Sequence, residues 1–72
     1  MDRKEMGRRL ALECSRCDYT GSEIARLSGC SRRTWINYEQ GATKIDAIML
    51  SKLDQLGFDV LYIVTGRRSK AV

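Results

Sequence analysis

Apolar residues recur at helical intervals along most of the chain. Met6, Leu10, Cys14 and Cys17 follow one another at steps of four, four and three, the stripe of an amphipathic helix. Asp2 can start that helix, because Glu5 stands at the spacing of a capping box. Leu12 lies off the stripe and is expected as a solitary exposed leucine. Residues 16–19 then make a connection. Thr20-Gly21-Ser22-Glu23 repeats the capping-box spacing, with Tyr19 and Ile24 at the positions of a hydrophobic staple. A short helix is predicted from about Gly21, with Ile24, Ala25 and Leu27 facing inward, stopping at Ser28-Gly29.

The next stretch, 29–39, organises the rest. Ser31 is a strong N-cap candidate, and Cys30 and Trp35 can staple the helix it starts. Trp35 and Tyr38 share a face that should pack inward, which leaves Arg32, Arg33 and Asn37 on the other side. Two cations in a first turn oppose the positive end of the helix dipole. They make sense if a polyanion supplies the missing negative charge. Gln40 to Lys44 reads as a loop with Gly41 closing the helix. Asp46 can cap a fourth helix running to Leu56, burying Ile48 or Met49, then Leu50, Leu53 and Leu56, with Gly57 ending it. Asp59 can cap a fifth, Val60 to Val64. Phe58 to Val64 is also a fair strand by composition, but its length and the Asp59 cap favour helix. The fold class expected is all-α: a compact bundle of about five short helices in one domain over 1–66, followed by a loose basic tail over 67–72.

Charge sharpens the picture. Thirteen Lys and Arg against nine Asp and Glu give +4 and a pI near 9.3 in 72 residues, a balance that fits a nucleic-acid binder. The basic residues cluster as Arg3, Lys4, Arg8 and Arg9, as Arg32-Arg33, and as Arg67, Arg68 and Lys70. The two terminal clusters also read simply as solvated, fraying ends. The chain has no histidine, so zinc sites of the Cys2His2 and Cys3His types are excluded. Cys14, Cys17 and Cys30 are expected as small buried thiols in a reducing cytosol. No run has the length of a membrane span or the apolar core of a signal peptide. No nucleophile has a visible base, so an enzyme is the least supported class. No cofactor, metal or small-molecule ligand is expected.

Two short helices joined by a Gly-containing turn form a helix-turn-helix signature. Gly7 to Gly66 resembles the DNA-binding domain of the phage repressor and Cro-like family. The resemblance rests on Ile24-Ala25, Gly29-Cys30-Ser31, Thr34-Trp35, Tyr38-Glu39-x-Gly41, Leu56-Gly57-x-Asp59 and Thr65-Gly66. It implies a sequence-specific regulator, a phage or prophage repressor that binds double-stranded DNA as a homodimer on a pseudo-palindromic operator. Base contacts would fall to Arg32, Arg33, Ile36 and Asn37. Arginine can bond guanine, asparagine can pair with adenine, and isoleucine can touch a thymine methyl. Phosphate contacts would fall to Thr20, Gly21, Ser22, Thr43 and Lys44. The dimer contact is expected between Leu56 and Val64, through Phe58, Leu61 and Tyr62. Two departures stand out. Gly21 occupies a position where glutamine is common, and Cys14 one where an arginine often braces the residue equivalent to Glu39. Glu39 must then find another cation or stay solvated. The chain is too short for the self-cleaving or oligomerising domain of longer relatives, so a minimal regulator or an excised DNA-binding domain is expected. The alternative is a protein-binding antitoxin or anti-regulator on the same fold, signalled by apolar residues outside the core such as Leu12, Phe58 or Tyr62.

Overall fold

The computed structural model describes residues 2–68; Lys70 and the rest of the expected tail beyond Arg68 lie outside the described residues. Each of its five helices starts on a side-chain oxygen. In α1 (Arg3–Arg16) the Asp2 carboxylate accepts the Lys4 N–H at 2.9 Å. Glu5 does not close a box there and instead pairs with Arg9 one turn on, at 3.5 Å. In α2 (Gly21–Ser28) the box is complete, with Glu23 N–H donating to the Thr20 hydroxyl at 3.1 Å and Thr20 N–H to the Glu23 carboxylate at 2.9 Å. Ser31 caps α3 (Arg32–Gln40) by accepting the Thr34 N–H at 3.0 Å. Asp46 caps α4 (Ala47–Gln55) through Met49 N–H, and Asp59 caps α5 (Val60–Thr65) through Tyr62 N–H. The stretch that could have been a strand by composition is thus helical, and the described residues contain no strand.

The helices wrap one aromatic centre. Trp35 is fully buried, and Tyr38 and Phe58 meet it edge-on with ring centres 6.3 and 6.2 Å away. Tyr19 stacks on Phe58 at 6.2 Å. Leu10, Ile24, Met49, Leu53 and Ile63 complete the inner layer. Helix α1 packs on α3 and α5, α2 on α3 and α4, and α4 on α5. At the α1–α3 contact the backbones touch. A Cβ on Gly7 would overlap the Glu39 carbonyl and stand 2.6 Å from that of Tyr38, so only glycine fits without moving a helix. Among the described residues, no helix is long and apolar enough to cross a membrane.

Several expectations need correction. Leu27 turns outward, 44% exposed, and Ser28 is buried in its place, donating to the Ile24 carbonyl at 2.7 Å. Ile24, Ala25 and Ser28 define the buried arc of α2, and Leu27 stands roughly 100° from its middle. On α4 the open choice resolves to Met49, while Ile48 is 73% exposed and Leu50 and Leu56 are half-buried. Phe58, expected at a dimer contact, is a core residue because it fills the gap between Tyr19 and Trp35. Tyr62 is half-buried, with the Arg68 guanidinium 3.8 Å above its ring. Of the three, Leu61 alone is exposed.

Arg68 also takes part in the one cluster of which the sequence analysis had no account. Glu13 is buried without exposed surface on the inner side of α1. Arg16 donates to both its oxygens at 2.9 and 2.7 Å, Asp59 N–H at 2.7 Å and Arg68 at 2.8 Å. Arg16 further donates to the Gly57 carbonyl at 2.8 Å. Burial would raise the Glu13 pKa, but the bonds from Arg16, the Asp59 N–H and Arg68 outweigh it and hold the carboxyl at about 2. Arg68 is therefore a clamp across α1 and α5 rather than part of a loose tail.

Candidate nucleic-acid interface

The turn from Gly29 to Ser31 sets α3 against α2 and fixes which side of α3 faces out. Cys30 and Trp35 both join the core at the foot of α3, as a staple should. Trp35 is anchored at its far edge too, where its indole N–H donates to the Glu39 carboxylate at 2.9 Å. Glu39 is half-buried and has no cation partner among the described residues. It serves the buried indole one turn away, a partner that a buried tryptophan ordinarily requires. With this face locked, the opposite one is presented rigidly to solvent.

That outer face carries Arg32 and Arg33, both exposed, then Ile36 and Asn37, both half-buried. There is no acidic residue in the first turn of α3. Among the described residues neither arginine has an ion-pair partner. Arg32 folds back across the turn, and its guanidinium occupies the space where a Cβ on residue 21 would stand. Gly21 therefore leaves room for a cation beside the first N–H groups of α2, which no helix can satisfy internally. The departure from glutamine at this position exchanges an amide for a guanidinium brought in from the neighbouring helix.

Hydroxyls surround this corner. The Thr20 oxygen accepts the Glu23 N–H, so its own proton remains available to an acceptor. Ser22 is exposed. Ser31 donates to the Thr34 hydroxyl at 2.9 Å, which leaves the Thr34 proton free to point outward. Thr34 carried part of the resemblance but was not among the expected DNA contacts; the Ser-x-x-Thr spacing of a capped first turn was the available signal.

Thr43 and Lys44 are exposed in the loop after α3. Gly41, at φ 74°, closes α3 and brings that loop against the start of α1, where a Cβ would lie 2.9 Å from the Lys4 backbone. Arg3 and Lys4 consequently line one surface hollow with Lys44. These two belong to the N-terminal basic cluster, and they sit in the first turn of the helix that Asp2 caps, beside a predicted phosphate contact. The expected phosphate contacts thus fall into two groups: Thr20, Gly21 and Ser22, which lie beside Arg32, and Thr43 and Lys44, of which Lys44 shares a hollow with Arg3 and Lys4.

The Cys14 thiol donates to the Tyr19 carbonyl at 3.2 Å, and burial and the nearby Glu39 charge push its pKa up to about 11, far from nucleophilic use. Among the described residues no three His, Cys, Asp or Glu side chains gather as metal ligands. No protein-family model matches the chain, and no curated protein matches it.

Proposed function

We propose that this protein is a sequence-specific DNA-binding regulator, a phage or prophage repressor acting in the bacterial cytoplasm, with α3 in the major groove. One observation carries the reading: two exposed arginines, without carboxylate partners among the described residues, stand in the first turn of a helix whose other face is held by Trp35. Unpaired cations at the positive end of a helix are unfavourable in isolation, and a duplex relieves them. Arg33, Ile36 and Asn37 read base edges, joined by Arg32 when it swings from Gly21. Thr20, Gly21, Ser22, Thr43 and Lys44 hold phosphates. A single helix reads only about four or five base pairs, so two copies bind together with their α3 helices about 34 Å apart on a pseudo-palindromic site.

Selection of bound sequences from a random duplex library tests this directly. A symmetric motif, bound with a steep loss of affinity as salt rises, is the expected result. Failure to retain any duplex at low salt would refute the reading. The alternative, a protein-binding module, keeps Leu12 as an exposed apolar residue but loses Phe58 to the core.

A further inference from the structure

The surface expected to hold a second copy is mostly spoken for, since Phe58 is in the core and Tyr62 lies under Arg68. A different face has the right properties. Along the outside of α4, Ala47, Leu50, Ser51 and Asp54 fall at i, i+3, i+4 and i+7 and form one stripe. Two hollows flank it and share Leu50. One, of about 340 Å³, is floored by Met6, Ile45 and Val64 and rimmed by Arg3 and Lys44. The other runs over Ser51 and Val60 to Asp54. Among the described residues, Arg3, Lys44 and Asp54 make no ion pair. The strip is therefore apolar in the middle, cationic at one end and anionic at the other.

We propose that this α4 face is a self-complementary docking surface for a second copy of this chain, with Lys44 and Arg3 of each copy meeting Asp54 of the other. A two-fold axis through the strip near Leu50 pairs the ends in opposite sense and satisfies both at once, as an isologous interface requires. Ala47 and Ser51 are small enough to let the two α4 helices approach closely. Other occupants match less of the strip. A nucleic-acid backbone would be repelled by Asp54 and gain nothing from the apolar middle. An acidic peptide would match the Lys44 end alone. The inference deepens the dimeric part of the proposed function but needs no DNA, so its failure and the failure of the DNA reading are separable.

The test is sedimentation equilibrium of the full chain without DNA, from micromolar to millimolar concentration at low salt. Wild type should self-associate reversibly, and added salt should weaken the association. Lys44→Asp and Asp54→Lys each place like charges at both contacts of a symmetric pair, and each should weaken self-association roughly tenfold or more. An equimolar mixture of the two variants restores opposite charges at both contacts, so association should return in the mixture. Circular dichroism checks that each variant keeps the wild-type helix content; should either unfold, Lys44→Glu with Asp54→Arg replaces the pair. A wild type that stays monomeric throughout, single variants that associate like wild type, or a mixture no tighter than its components would overturn the proposal.

Discussion

Arg32 and Arg33 are neighbours in the chain but stand in different surroundings. Arg32 rests over Gly21, whereas Arg33 is exposed on α3 and has no ion-pair partner among the described residues. On a selected operator Arg33→Ala should cost about 1–3 kcal/mol and relax preference at one position per half-site. Lys4→Ala, in the basic hollow beside Lys44, should instead weaken all sequences evenly and reduce the salt slope by about one. Titrations of both variants against cognate and scrambled duplexes at several salt concentrations separate the two outcomes. Glu39 makes a third residue-level case. Glu39→Ala leaves the Trp35 indole N–H unpaired in the core, which should lower stability by about 1–3 kcal/mol in thermal melts. The i, i+4 spacing of Trp35 and Glu39 was visible in the sequence. The resemblance drew attention to a cation for Glu39 instead, although the buried indole had the stronger need.

Among the elements, α1 and α3 depend on each other most directly. Their backbones meet at Gly7, where an added methyl would strike the Glu39 and Tyr38 carbonyls rather than a yielding side-chain end. Gly7→Ala must therefore push the helices apart and loosen the packing around Trp35. A loss of about 2–3 kcal/mol is expected, against the gain that alanine gives in an isolated helix. Urea unfolding of the variant measures the sign. A stabilised Gly7→Ala would mean that the two helices are not in backbone contact. The same contact orients α3, so this substitution should also reduce DNA affinity at constant folded fraction.

At the scale of the whole molecule, Glu13 joins α1, the start of α5 and Arg68. Its folded pKa of about 2 lies below the ordinary 4.5, so the unfolded chain takes up a proton first as the pH falls. The stability it contributes is therefore full above about pH 4.5 and is lost as the pH drops toward 2. Glu13→Gln removes that dependence and should cost about 2–3 kcal/mol at neutral pH, roughly 10–20 °C in Tm for a domain this small. Melts of wild type and variant across this range should converge at the acid end. A wild type and variant with parallel pH profiles would show that Glu13 is not the group responsible.

What the sequence determined alone were the helix starts. Asp2, Thr20, Ser31, Asp46 and Asp59 each cap the helix assigned to them, because a cap bonds an N–H only two or three residues away and needs no other element. The outward display of Arg32 and Arg33 was legible for a related reason: the phase of Trp35 and Tyr38 on the same helix leaves them no other side. Facing between distant elements was decided by the tertiary structure. Glu13 stands three residues before Arg16 on α1, within reach of one of its donors. Its other donors, however, come from positions 46 and 55 residues further on. Phe58 belongs to the core only because Tyr19 and Trp35 come together around it, and Leu27 is turned out because Ser28 takes the inner arc. Local hydrogen bonds choose the elements, and burial then assigns a side to each residue according to neighbours that the order of the chain does not reveal.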